Sequence, residues 1–186
     1  NLNLDNTILG LNGDDELDGA AGDDLIIGGI GNDSIDGCAG IDTARFSGDL
    51  KDYDIILSDH KIRIIDKRLN KVNDGNDIIF NNVEVLQFND QILETSWNSI
   101  ISNTSDLVIK GNSIYTIIDG PTWEEAEANA NKLGGHLVTI NNEEEDTFLR
   151  TNLNPDNEDL WIGISDKDID GVFKWSSGEN VSYTNW

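Results

Sequence analysis

Four aspartates stand nine residues apart near the start of the chain, at Asp15, Asp24, Asp33 and Asp42. Between Asp5 and Asp42 lie ten acidic residues and no lysine or arginine. Bringing these carboxylates side by side costs kilocalories in repulsion unless a cation stands between them. A hard divalent ion such as calcium suits that gap, since it takes about six to eight oxygen ligands and accepts carboxylates and backbone carbonyls alike. The chemistry on offer is metal binding coupled to folding, because an ion that joins two carboxylates joins the segments that carry them.

The elements that must position these groups are short. In register, Gly10–Arg45 reads GLNGDDELD, GAAGDDLII, GGIGNDSID and GCAGIDTAR. Position one is Gly10, Gly19, Gly28 or Gly37, and position four is Gly13, Gly22, Gly31 or Gly40. Both are expected to turn through positive φ. Position eight is apolar at Leu17, Ile26 and Ile35 and weakens to Ala44. Each repeat therefore holds a very short strand with one inward side chain, and stacking is compulsory. Asn6 precedes Asp15 by nine residues and Ile8 falls at the apolar position, so Asn1–Leu9 reads as a worn or capping repeat. A disordered glycine-rich linker would not keep its Leu and Ile in phase.

This phrase, G-G-x-G-x-D-x-U-x, resembles the calcium-binding nonapeptide of the RTX (repeat-in-toxin) family. The resemblance implies a parallel β-roll, all-β, in which two nonapeptides make one coil. It pairs Asp15 with Asp33 and Asp24 with Asp42, and sets Asn6 opposite Asp24. It implies Ca2+ held by Asp15, Asp24, Asp33, Asp42 and Asn6, with the backbone carbonyls of Gly13, Gly22, Gly28 and Gly31 completing the shells. It further implies a secreted or surface-attached bacterial protein exported by a type I system.

Composition narrows the classes. The 186 residues carry a net charge of −24, which excludes a general binder of nucleic acid or of anionic membranes. No apolar run is long enough to span a bilayer, and no basic-then-apolar leader opens the chain. The single cysteine, Cys38, allows no internal disulfide and reads as small filler. With no methionine and an abrupt stop at Trp186, the sequence reads as a fragment of something longer. His60 and His136 are too far apart for H-E-x-x-H, and there is no G-x-S-x-G, phosphate loop or Cys/His pair. No catalytic site is expected, and the chain is read as not an enzyme.

Past the repeats (1–45) the composition changes. Seven of the twelve basic residues lie between Arg45 and Lys71. Tyr53, Ile55 and Leu57 alternate with polar neighbours, as do Ile62 and Ile64, which predicts short half-buried strands. Asp74–Asp77 is a turn before IIF and Val83, Val85, Leu86 and Phe88. Residues 46–93 resemble the small β module that follows RTX repeats and caps their last core layer. The cluster Lys67, Arg68 and Lys71 reads as a solvated loop, and 94–106 as a linker with Trp97, Ile100 and Ile101 tucked against a neighbour.

A third unit is expected over 107–186. Ser113–Ile118 is strand-like, and Thr122 with Glu125 forms a capping box for a helix that presents Trp123, Ala126, Ala130 and Leu133 on one face. Gly134–Gly135 stops it, and His136–Ile140 returns as a strand. Asn141 or Asn142 caps a second helix through Phe148, Leu149 and Leu153, ending at Pro155. Leu160–Ile164 and Val172–Trp175 are the last predicted strands. The pieces WEEAEANANKLGGHLVTI, EEEDTFL, LWIGISD and GVFKW…YTNW, in that order, resemble the C-type lectin-like domain. This implies an α+β domain, incomplete at its C-terminus, that recognises a glycan or a cell-surface protein. The family's sugar-binding loop and strand would fall beyond Trp186, so no ligand residue is carried onto this sequence. Asp166, Asp168 and Asp170 open like an EF-hand loop, but Ser177 stands where the bidentate glutamate should be. An acidic turn is the favoured reading there, with a metal site as the alternative.

The expectation is thus a calcium-dependent folding module of a secreted RTX protein, an adhesin, carrying a lectin-like recognition domain. The rival is the C-terminal export and stability region of a secreted protease, lipase or other hydrolase.

Overall fold

A computed structural model describes residues 4–58, 61–69, 72–94, 107–111 and 113–185. The chain forms two compact units, Asn1–Tyr115 and Thr116–Trp186, each taken here by itself. In the first, successive repeats send their strands alternately to two sheets. β1 (Thr7–Asn12), β3 (Leu25–Ile30) and β5 (Thr43–Arg45) run parallel in one sheet. β2 (Glu16–Asp18) and β4 (Ser34–Asp36) run parallel in the other. Thr7 pairs with Leu25, Leu25 with Thr43 and Glu16 with Ser34, so two nonapeptides complete one circuit of the chain. The position-eight residues Ile26, Ile35 and Ala44 are fully buried in one hydrophobic cluster, against which Ile8 and Leu17 pack.

The sheets are mixed rather than purely parallel. β8 (Asn76–Phe80) joins β4 and β9 (Val85–Gln87) joins β5, both still parallel. Between β5 and β8 the chain makes an excursion through β6 (Tyr53–Ser58) and β7 (Lys61–Asp66). β6, β7 and β8 pair antiparallel, as do β10 (Ile92–Glu94) with β9 and β11 (Leu107–Lys110) with β6. The final orders are β1-β3-β5-β9-β10 and β12-β11-β6-β7-β8-β4-β2, where β12 is Ser113–Thr116. The antiparallel strands cover backbone groups that the last parallel strands would otherwise leave unpaired. Leu107–Lys110 therefore belongs to this sheet, and the compact units divide between Tyr115 and Thr116. The linker 95–106 with Trp97, Ile100 and Ile101 lies outside the described residues, as do His60 and Lys71.

Phe46, Tyr53 and Phe88 close the core with ring centroids 5.2 to 5.7 Å apart. Arg68 is not a solvated charge. Its side chain is largely buried, chelating the Asp66 carboxylate and donating to Tyr53 Oη at 3.0 Å and Ser47 Oγ at 2.8 Å. Lys67 pairs with the buried Asp54 at 2.7 Å. Acids buried at Asp54, Asp66 and Asp74 require this counter-charge, which draws the Arg68 guanidinium out of water while Lys67 stays exposed.

Positive φ falls at position four as expected, but its second station is position two rather than position one. Leu11 (79°), Ala20 (70°), Gly29 (109°) and Cys38 (65°) all adopt it, three of them with a Cβ that disfavours it.

The second unit is built on α1 (Trp123–Lys132) and α2 (Glu143–Leu153). Thr122 Oγ1 accepts from Glu125 N at 3.3 Å, and Asn142 Oδ1 from Glu145 N at 2.9 Å. Ala126 and Ala130 are buried, but Leu133 is 70% exposed because it is the C-cap, already past the helical face. Gly134 N to Asn131 O and Gly135 N to Ala130 O end the helix in a Schellman turn. His136–Ile140 and all of Leu160–Ile164 but Ile164 form no strand. The bonds that tie them are Gly163 N to Val138 O and Ser176 N to Gly163 O, and regular pairing is confined to β13 (Ile164–Ser165) with β14 (Lys174–Trp175). Buried Asp146 accepts from Arg150 Nε (2.7 Å), Asn185 Nδ2 (3.0 Å) and Tyr183 Oη (3.2 Å), joining α2 to the final segment. These donors together outweigh burial and hold its carboxyl below the usual range.

Replacing Ala20 by glycine removes a strained Cβ at φ 70°. Urea unfolding of Ala20→Gly is expected to show a gain of about 1 kcal/mol over wild type.

Candidate metal centre

Three of the four position-six carboxylates are locked by main-chain amides. Asp24 Oδ1 accepts from Asn6 N at 2.7 Å, Asp33 Oδ1 from Asp15 N at 2.9 Å, and Asp42 Oδ1 from Asp24 N at 2.8 Å. The structure thus brings together Asp15 with Asp33, Asp24 with Asp42 and Asn6 with Asp24, each across 18 residues. Asn6 Nδ2 also donates to Asp24 Oδ1 at 3.0 Å.

One oxygen of each aspartate is left over. Oδ2 of Asp15, Asp24, Asp33 and Asp42 is buried and has no hydrogen-bond partner among the described residues. Asp24 and Asp33 are 2% exposed and Asp42 0%. An unpartnered buried acceptor costs about 1–3 kcal/mol, and more when it is charged. These oxygens lie close against the position-one glycines, whose missing side chain permits the approach. A Cβ on Gly19 would lie 2.6 Å from Gly37 O and 2.8 Å from Asp24 Oδ2. On Gly10 it would strike Gly28 O and lie 2.9 Å from Asp15 Oδ2. On Gly28 it would strike Asp33 Oδ2. Glycine is required at position one for room, not for φ.

An orphaned carboxylate oxygen facing a carbonyl oxygen from the next circuit, with no donor between them, is a donor set for a hard cation. The residues therefore fit calcium. Gly28 O takes part in this arrangement, and so does Gly37 O, which the sequence reading did not name. The carbonyls of Gly13, Gly22 and Gly31 are set against Gly31, Gly40 and Gly75 of the following circuit. Among the described residues no three His, Cys, Asp or Glu side chains converge as a metal cluster, so any shell here mixes carboxylate with main-chain oxygen.

Two further carboxylates extend the row. Asp77 Oδ1 accepts from Asp33 N at 2.8 Å, and Glu84 Oε2 from Asp42 N at 2.9 Å. The offset has grown from 18 residues to 44 and 42, which hid them. One signal was present: Gly75–Asn76–Asp77–Ile78–Ile79 repeats Gly31–Asn32–Asp33–Ser34–Ile35. The turn preceding Asp77 is pinned by Tyr53 Oη donating to Asp74 Oδ2 at 2.5 Å and Ser47 Oγ to Asp74 Oδ1 at 2.6 Å.

Burial raises the carboxyls of Asp33 and Asp42 above their ordinary range, with neighbouring Asp15 and Asp24 adding to it. Burial, with Asp33 and Asp74 nearby, pushes Asp77 up to about 8.

In the second unit, Asp166 Oδ2 accepts from Gly171 N at 3.1 Å and Asp168 reaches Lys174 Nζ at 3.5 Å. Asp168 and Asp170 are exposed, and the three carboxylates do not converge. The segment is a hydrogen-bonded acidic turn. His136 Nδ1 lies 2.8 Å from Leu137 O.

Taken together, the first unit is a stacked-repeat scaffold for oxygen-ligated cations, and the second is a separate α+β unit of binding-module type. Comparison with known proteins identifies both. The RTX calcium-binding nonapeptide repeat (4 copies) matches residues 3–44, and the Lectin C-type domain matches residues 119–186. The chain is similar to the secretory phospholipase A2 receptor of Oryctolagus cuniculus, 29% identical over 72 residues, covering 39% of this chain and 5% of the receptor. It is also similar to the low affinity immunoglobulin epsilon Fc receptor of Mus musculus, 39% identical over 64 residues, covering 34% of this chain and 19% of that protein. The chain thus spans less than a fifth of these relatives' length. Both matched families are non-catalytic binding modules that bind Ca2+, and calcium is the cofactor. Among the described residues no helix is long and apolar enough to cross a membrane.

The raised carboxyls set a pH dependence for the calcium-free chain. A carboxyl raised on folding favours the folded state below its unfolded value, and that contribution is lost as pH rises through the folded value. Metal-free unfolding monitored by circular dichroism should therefore show stability falling from about pH 4 to about pH 8, the upper edge set by Asp77. Saturating calcium should remove the loss, because the ion replaces the proton.

Proposed function

We propose that this chain is the calcium-dependent folding and recognition part of a secreted or cell-surface RTX adhesin. Residues 1–45 form a parallel β-roll, residues 46–93 cap it, and the lectin-like unit binds a glycan or a cell-surface protein. Asp15, Asp24, Asp33, Asp42 and Asn6 hold the ions, with the carbonyls of Gly28, Gly13, Gly22 and Gly31 as further ligands. The four buried, unpartnered Oδ2 atoms carry this reading.

In the absence of calcium and of the protons that replace it at acid pH, those oxygens repel one another and the repeats unfold. With calcium each ion joins two circuits, and binding free energy becomes folding free energy. Extracellular modules bind calcium at about 10⁻⁴–10⁻³ M, so the sites remain empty inside a cell and fill outside it. That property suits export in an unfolded state through a type I system. Within this reading the chain itself catalyses nothing.

Calcium titration followed by circular dichroism should show β structure appearing near millimolar calcium. Asp24→Ala combined with Asp33→Ala should weaken the midpoint at least about tenfold, the loss expected when buried charge-assisted contacts worth roughly 1.4 kcal/mol or more are removed. Equal β content in chelator and in calcium would sink the proposal. A glycan array probed with the whole chain, with and without calcium, tests the recognition half.

A further inference from the structure

The family match to the nonapeptides ends at residue 44, yet the geometry that defines their spaces does not. A Cβ on Gly37 would lie 2.6 Å from Asp42 Oδ2 and 2.6 Å from the carbonyl oxygen of Asn82. This is the arrangement found at Gly19, with Asn82 O standing where Gly37 O stands there. Asp42 is 0% exposed, and its Oδ2 has no partner among the described residues. Glu84 completes the likeness: its Oε2 accepts Asp42 N at 2.9 Å, as Asp42 Oδ1 accepts Asp24 N at 2.8 Å.

Asn82 is held for this task. Its Oδ1 accepts from Gly37 N at 3.3 Å and its Nδ2 donates to Asp36 Oδ1 at 2.5 Å, so the side chain clamps the loop whose carbonyl faces the space. Gly37 itself does not have positive φ, which leaves room as the reason for glycine there.

We propose that a further divalent-cation site lies beside Gly37, where the last nonapeptide meets the cap, with Asp42 Oδ2 and Asn82 O facing it and the Glu84 carboxylate, bonded to Asp42 N, adding charge. The cap therefore takes part in metal binding, and β9 docks on β5 with an ion between their preceding loops. The inference rests on the calcium reading of the repeats.

Two variants of the whole chain test it. Gly37→Ala fills the space with a methyl group without asking for an unusual φ. Glu84→Gln keeps an acceptor for Asp42 N and removes the charge. Equilibrium dialysis against calcium should find each variant binding one ion fewer than wild type. Gly10→Ala, at a space inside the repeats, should lose a different ion. Hydrogen exchange on wild type should show calcium-linked protection of the amides in 82–88, lost in Gly37→Ala and Glu84→Gln and kept in Gly10→Ala. Equal ion counts in wild type, Gly37→Ala and Glu84→Gln would overturn this site and leave the repeat sites standing. No calcium uptake by wild type would overturn both readings. Should a variant fail to fold, wild-type exchange decides, and identical exchange at 82–88 with and without calcium overturns the site.

Discussion

The first unit depends on a buried carboxylate whose two oxygens have different partners. One oxygen each of Asp24, Asp33 and Asp42 satisfies a main-chain amide, which fixes the side chain in place. The other is thereby held in a space with no donor. Leaving a charge so placed is costly unless a cation enters. The glycines at position one, the spacing of the circuits and the acidity of the segment all follow from keeping that space open and negative.

The cap meets the same difficulty in a second way. Asp66 and Asp74 are buried too, but here the protein supplies its own cation in Arg68 and a proton donor in Tyr53. Burial and the bond to Asp74 drive the tyrosine hydroxyl far up, so it stays a donor. Side by side, the unit contains one set of acids neutralised from within and another awaiting an ion from outside. Under the proposed function, only the second set makes folding conditional on the surroundings.

Much of this was legible in the residues. A nine-residue period with apolar Leu17, Ile26 and Ile35 in phase dictates stacking, and a two-repeat circuit pairs Asp15 with Asp33. Asp77 was concealed because the β6–β7 excursion stretches the offset, and Glu84 because glutamate replaces aspartate without flanking glycines. Position two gave no warning, since Leu11, Ala20 and Cys38 are poor choices for positive φ and are held there by the circuit. Arg68 was misjudged because a basic cluster looks solvated until the acids it serves are placed beside it. In the second unit, helix ends were readable from Thr122, Asn142 and Gly134, which act locally. Strand content was not, because ladders depend on partners distant in the chain.

The amide bonds between circuits run both ways. At position six the acceptor lies in the circuit that follows: Asn6 is served by Asp24, Asp24 by Asp42, and Asp42 by Glu84, while Asp15 is served by Asp33 and Asp33 by Asp77. At position five it lies in the circuit before: Asp23 is served by Asp5, Asn32 by Asp14, Ile41 by Asp23 and Asn76 by Asn32. Each junction is thus sewn from both sides. Removing the earliest circuit leaves Asp23 N without Asp5, and removing the cap leaves Asp33 N and Asp42 N without Asp77 and Glu84, so neither end of the stack comes away freely.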